Sequence, residues 1–118
     1  MTASLQVRIL LSAPANLGPG KVRLLKAIGE TGSISGAARQ LKISYRRAWL
    51  MVDALNKAFP SLLVETSAGG IKGGGARLSS LGRAVLERYL ALLAKAEQSV
   101  AAESSAFLEL LNTTEARR

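Results

Sequence analysis

Residues 33–59 read SISGAARQLKISYRRAWLMVDALNKAF, and the rest of the 118-residue chain is organised around them. The small side chains of Ala37 and Ala38 predict a short helix over residues 35–41 that a neighbour can approach closely. Lys42, Ile43 and Ser44 form a turn, and the Ser44 hydroxyl has the chemistry to cap a second helix by accepting a bond from a first-turn N–H that lacks a helical partner. Along that second helix Ala48, Val52, Leu55 and Phe59 fall on one stripe, while Tyr45, Arg46 and Arg47 occupy its N-terminal end. The stripe faces inward and the Tyr-Arg-Arg end is left for a partner. A short helix, a three-residue turn and a longer helix with a cationic start is the helix-turn-helix arrangement, which lays its second helix in the major groove of DNA.

Outward from this stretch, charge says where a partner would bind. The formal net charge is +8, but residues 1–83 hold 12 Lys and Arg against Glu30, Asp53 and Glu65, whereas residues 84–118 hold four against five Glu. A phosphate-tracking surface followed by a neutral association element has this asymmetry; a merely solubilising basic surface is the alternative. The chain contains neither Cys nor His, which removes disulfides, thiolate metal sites, and the commonest metal ligand and general base. The acids are scattered without paired spacing, so no enzyme, metal or cofactor is expected, and Asp53 and Glu65 are assigned to ion pairs with nearby cations. No apolar run reaches the length of a membrane span, and residues 1–7 carry no Lys or Arg of the kind that opens a secretory signal. A cytoplasmic protein without membrane contact is the expectation.

Upstream, the loosely alternating SLQVRILLS at residues 4–12 predicts a short strand, and APANLGPG at 13–20 is turn chemistry. Pro19 can open a helix that runs on through residues 21–31, with Val22, Leu24, Leu25 and Ile28 on its apolar face and Gly32 as a left-handed stop. Lys21, Arg23 and Lys26 lie off that face, open to phosphates or to solvent. Downstream, Pro60 and Ser61 break the chain, residues 62–66 read as a strand and residues 76–78 as its return. SAGGIKGGG at 67–75 then forms the tip of a hairpin wing, with Lys72 at the tip and Arg77 at the base. A P-loop is excluded because Gly73 follows Lys72 where that motif needs Ser or Thr.

Residues 79–111 lack Pro, and beyond Gly82 lack Gly. Leu81, Val85, Tyr89, Leu92, Ala96, Val100, Phe107 and Leu110 step by threes and fours, interrupted at Glu103. One continuous helix here would extend about 50 Å. A winged domain of this size has a radius of gyration on the order of 12 Å, so part of the stripe needs another surface. The expected arrangement is a homodimer made by Val85, Tyr89, Leu92, Ala96, Val100, Phe107 and Leu110; a helix folding back on its own domain at Ser104 and Ser105 is the alternative. The fold class is thus mainly α with a small β-hairpin wing: a winged helix-turn-helix over residues 1–82 and a dimerisation helix with a frayed tail over 83–118.

For double-stranded DNA the roles follow from side-chain type. Arg46 or Arg47 forks onto guanine, only one of them facing bases because they lie 100° apart. Ser44 and the first helical amides suit a phosphate oxygen, Tyr45 a phosphate or a thymine methyl, and Arg39 and Lys42 the backbone. Partial burial in the core is favoured for Trp49 over contact with DNA.

The run GSISGAARQLKISYRRAW at 32–49, together with ETSAGGIKGGGARLSSLG at 65–82, resembles the DNA-binding half of ModE-type molybdate-responsive regulators, and more distantly the LysR-type winged helix-turn-helix, over residues 5–93. The resemblance places Ser44, Tyr45, Arg46, Ala48 and Trp49 on the family's recognition helix, and Gly69, Gly70 and Gly73 to Gly75 on its glycine-rich wing. Full-length members carry further β-barrel modules that bind molybdate. No residue here matches those, so a stand-alone DNA-binding form is expected. It implies a homodimeric transcription regulator in molybdenum-related gene control, with its effector open. Two other functions stay open: an oxyanion sensor that binds molybdate at the dimer interface, and a winged-helix protein-interaction module.

Overall fold

A computed structural model of the chain describes residues 5–11, 16–67 and 74–116. Its hub is α1 (Pro19–Thr31), which opens on the proline and closes where Gly32, at φ 78°, donates its N–H to the Ile28 carbonyl at 2.9 Å. That left-handed conformation is one a side chain resists, which is why a glycine stops the helix there. Val22, Leu24, Leu25, Ala27 and Ile28 are buried, with Leu24, Leu25 and Ile28 fully so. Thr31 ties the last turn down by donating its hydroxyl to the Ala27 carbonyl at 2.8 Å.

The helix-turn-helix follows as α2 (Ile34–Leu41) and α3 (Tyr45–Ala58). Each starts at a serine: Ser33 Oγ accepts from the Gly36 N–H at 2.8 Å, and Ser44 Oγ from the Arg47 N–H at 3.0 Å. Between them Lys42 takes the left-handed conformation at φ 60°, its N–H bonded to the Arg39 carbonyl and that of Ile43 to the Ala38 carbonyl. These two nested bonds satisfy carbonyls that the helix end would otherwise leave open. Ala37 and Ala38 are buried, as their size predicts, and so are Ala48, Val52 and Leu55; Phe59 lies beyond the helix end and is half-buried.

The wing is an antiparallel pair, β1 (Val64–Ser67) and β2 (Gly75–Leu78), in the register Val64 with Leu78, Glu65 with Arg77, Thr66 with Ala76 and Ser67 with Gly75. Inward-facing Val64, Ala76 and Leu78 join the core while Arg77 stays exposed, the alternation expected of a half-covered strand. The wing is docked at both ends. The Ala76 N–H donates to the Gly32 carbonyl and the Ser79 N–H to the Leu63 carbonyl, each at 2.9 Å. Lys72 and most of the glycine-rich tip lie outside the described residues.

Helix α4 (Ser80–Ser99) is capped by Ser79, whose Oγ accepts from the Gly82 N–H at 2.9 Å and donates to the Leu62 carbonyl at 2.6 Å. A Cβ on Gly82 would stand 2.2 Å from the Leu63 carbonyl oxygen, so only glycine lets the helix cross the strand this closely. Tyr89 is 3 % exposed and donates its hydroxyl to the Val7 carbonyl, which pins the N-terminal segment to α4. Val85 is half-buried against the same core. These two residues, assigned above to a dimer contact, therefore serve the interior of their own protomer, because the stripe's first turns lie on the winged unit. The expected division at residue 82 runs through the first turn of a helix whose Val85, Leu86, Tyr89 and Leu93 still pack on the core.

Two further expectations are corrected. The continuous C-terminal helix is interrupted at Val100 (φ −116°, ψ 21°), and α5 (Ala101–Ala116) follows it. At the break Ser99 donates its hydroxyl to the Lys95 carbonyl at 2.8 Å, while the Val100 N–H still reaches the Ala96 carbonyl at 3.2 Å. The break sits before the Ser104–Ser105 bend considered above. The N-terminal strand is only Ile9–Leu10, labelled β3 here, and it pairs with Asn16–Leu17, labelled β4, where a turn was expected. The molecule measures 60 × 30 × 24 Å. No helix among the described residues is long and apolar enough to cross a membrane.

Candidate nucleic-acid interface

The core residues of α3 fix which way every other side chain on it points. Ala48, Val52 and Leu55 mark the inward direction. At 100° per residue, Arg46, Leu50, Asp53 and Lys57 lie on the opposite, outward side. Tyr45 and Trp49 then fall on one shoulder, and Arg47, Met51 and Ala54 on the other. Tyr45, Arg46 and Arg47 are all exposed. The two arginines therefore diverge, with Arg46 pointing straight out.

The Tyr45 shoulder looks toward α2 and the wing. Tyr45 and Trp49 line a shallow groove with Ile34, Ser35, Thr66, Ser67, Gly74 and Gly75, and no charged side chain among the described residues borders it. Trp49 is 46 % exposed and lies outside the core, contrary to the expected partial burial there: one residue past Ala48, its direction swings 100° off the inward stripe toward the wing. Arg39 and Lys42 are exposed at the end of α2 and in the turn. Arg77 sits at the base of the wing, but its Nε meets Glu65 Oε1 at 3.2 Å, directly across the hairpin. On the outward face Lys57 pairs with Asp53 at 2.9 Å. Both acids make the ion pairs expected of them, and such exposed pairs are worth about 0–1 kcal/mol, easily exchanged for other partners.

What holds α3 against the wing is a residue the sequence reading passed over. Half-buried Asn56 accepts the N–H of Leu63 at 2.8 Å and of Val64 at 3.1 Å on Oδ1, and donates Nδ2 to the Val64 carbonyl at 3.2 Å. One amide thereby satisfies three backbone groups at the point where β1 begins, setting the distance between helix and wing. Its one signal in the sequence was a polar residue adjoining Leu55 on the apolar stripe.

A three-helix core, a serine-capped outward-facing third helix and an antiparallel hairpin beside it define a winged helix-turn-helix protein. Residues 20–83 match the family model described as bacterial regulatory helix-turn-helix protein, lysR family, and the chain belongs to that family. Its sequence is similar to the molybdenum-pterin-binding protein MopB of Rhodobacter capsulatus, at 40% identity over 104 residues covering 88% of this chain and 37% of that protein. It is also similar to the DNA-binding transcriptional dual regulator ModE of Escherichia coli (strain K12), at 36% identity over 98 residues covering 83% of this chain and 37% of that one. The chain thus spans little more than a third of the length of these relatives. Among solved structures, the CbnR_DBD-DNA complex shares the fold with a TM-score of 0.57 at 24% identity, over 74% of this chain and 94% of that one.

Proposed function

We propose that the chain is a sequence-specific DNA-binding transcription regulator that acts as a homodimer in molybdenum-related gene control. The carrying observation is α3, whose serine-capped start presents Tyr45 and Arg46 outward with no ion-pair partner among the described residues. In this reading Arg46 forks onto a guanine edge, and Tyr45 contacts a phosphate or thymine methyl. Ser44 with the first amides of α3 takes a phosphate oxygen. Arg39, Lys42, Arg47 and the wing cations Lys72 and Arg77 hold the backbone, with Arg77 exchanging Glu65 for phosphate. The similarity to ModE and MopB supports the link to molybdenum.

Dimerisation falls to the part of the C-terminal segment that its own protomer leaves uncovered. Leu92 and Phe107 are exposed and Ala96 and Val100 half-buried, with Leu110 exposed further along. Small Ala96 permits close approach of a second helix. A two-fold dimer places the two copies of α3 on half-sites about one helical turn apart, or a multiple of it.

Selection of bound sequences from a random duplex pool, with the solution mass measured alongside, tests this. A two-fold symmetric motif and a dimeric mass are expected; recovery of no motif overturns sequence-specific recognition. With the motif in hand, Arg46→Ala is expected to weaken binding by about 1–3 kcal/mol and relax preference at one position, whereas uniform loss over all sequences would make Arg46 a backbone contact.

A further inference from the structure

The second shoulder of α3 has a different character from the first. Arg47, Leu50, Met51 and Ala54 form one wall of a concavity of about 360 Å³, and the start of α1 with β4 and the segment leading into β3 forms the other, contributing Pro19, Lys21, Asn16 and Arg8. Three cations thus border one hollow without a carboxylate among the described residues. The described acids of the winged unit are engaged elsewhere, Glu30 with Gln40, Asp53 with Lys57 and Glu65 with Arg77. The exposed Arg8 side chain lies over Gly18, where an added Cβ would come within 3.2 Å of Nε. Lys21 projects from the side of α1 opposite Arg23 and Lys26, which are exposed, so the helix directs one of its three cations into the hollow.

The geometry points to this hollow as a phosphodiester clamp in which Arg8, Lys21 and Arg47 grip the DNA backbone beside the groove that α3 enters. The inference rests on the DNA-binding reading and deepens it by adding Arg8 and Lys21 to the interface and dividing the two arginines of α3. Leu50, on the outward face, also lines the hollow, so the clamp is continuous with the face that carries Arg46. Whatever backbone follows that face next meets Arg47 and then the other two cations. The wing-side shoulder offers hydroxyls, glycines and two aromatic rings instead. One flank of the groove is thus gripped by three converging cations, while the other combines these small and aromatic groups with the wing cations already assigned to the backbone. Base-directed contacts carry sequence information, and phosphate contacts carry register and affinity.

The test compares the full chain with Arg8→Ala/Lys21→Ala and with the charge-keeping Arg8→Lys/Lys21→Arg, on the selected duplex and on an unrelated one, from low to physiological salt. Each phosphate neutralised on B-DNA contributes about 0.9 to the slope of log affinity against log salt. The alanine pair is therefore expected to flatten that slope by about 2 and to lose affinity by the same factor, on the order of tenfold or more, on both duplexes. The charge-keeping pair should retain the wild-type slope, and circular dichroism should show unchanged helicity in both. A wild-type slope in the alanine pair overturns the clamp and leaves the DNA reading intact. Absence of salt-dependent duplex binding by the wild type overturns both together. A changed base preference in the alanine pair makes these residues base readers and overturns the backbone assignment. So does thermal stabilisation by molybdate or inorganic phosphate that the alanine pair loses while its DNA slope stays at the wild-type value, since the hollow would then hold a free oxyanion.

Discussion

The winged unit and helix α5 are built from the same kinds of residue and meet opposite fates. In the unit, Leu24, Leu25 and Ile28 of α1 reach complete burial, every helix from α2 to α4 begins at a serine whose hydroxyl takes a first-turn N–H, and Asn56 and Ser79 satisfy the backbone where strand and helix cross. In α5 Phe107 is 67 % exposed, and apart from half-buried Leu108 the described side chains of residues 101–111 are all exposed. Helical periodicity is present in both. What separates them is access to a second surface, since a helix gains most of its stability by covering an apolar face and the described side chains of α5 beyond the break, Leu108 apart, stay exposed. The contrast teaches that the unit closes on itself, whereas the described apolar side chains of α5 stay open to another surface, which the proposed dimer would supply.

The largest expected effect strikes the closed unit. Leu25→Ala should lower unfolding stability by about 2–5 kcal/mol in chemical denaturation, because the surroundings of a fully buried leucine relax only partly around the cavity. Removing α5 beyond Ser99 should leave the midpoint unchanged at dilution; a large drop would break the contrast. Next, Asn56→Ala strands the N–H groups of Leu63 and Val64, each worth about 1–3 kcal/mol where water is excluded. The site is only partly buried, so about 2 kcal/mol in all is expected, with looser DNA binding as the wing loses its spacing from α3. Phe107→Ser should raise the dimer dissociation constant roughly tenfold, about 1.4 kcal/mol, without altering the unfolding of the unit. Sedimentation across a concentration series reads this directly, and an unchanged mass distribution would assign the dimer contact to other residues. The smallest effect tests a point of strain: Lys42→Gly removes the side-chain penalty of a left-handed residue, about 1–2 kcal/mol, less the entropy glycine adds to the unfolded chain. A net gain of roughly 0.5–1 kcal/mol is expected, together with weaker duplex binding from the lost cation.

Much of the unit was legible because its signals are local. Ser44 precedes a helix and can bond only to the amides just ahead of it; Gly32 follows an apolar run at the place where a left-handed residue is needed; Ala37, Ala38, Ala48, Val52 and Leu55 follow the helical period and bury as that period requires. The pairing of Asp53 with Lys57 is of the same kind, since four residues along a helix bring the two charges together. Arg77 and Glu65 needed only the hairpin register to meet.

The misreadings share a cause in contacts between segments far apart in the chain. Tyr89 continues a helical stripe whether it covers a neighbour or its own domain, and it went to the interior because the N-terminal segment lies across α4 and offers the Val7 carbonyl. Trp49 adjoins the core stripe in sequence but stands a quarter turn from it in space, beside a wing that the strand after Pro60 brings there. Arg8 has no local signal at all, and becomes part of a cationic hollow only when the β3–β4 ribbon sets it against α1 and α3.

By itself the sequence determined the helix-turn-helix, the caps at Gly32 and Ser44, the hairpin and the direction in which the cations of α3 point, because caps and periodicity act within a few residues. The tertiary structure alone decided which part of the C-terminal stripe is interior and where its helix breaks. It likewise decided that Asn56 joins recognition helix to wing and that Arg8, Lys21 and Arg47 share one hollow, because burial and convergence depend on surfaces that meet only when the chain closes.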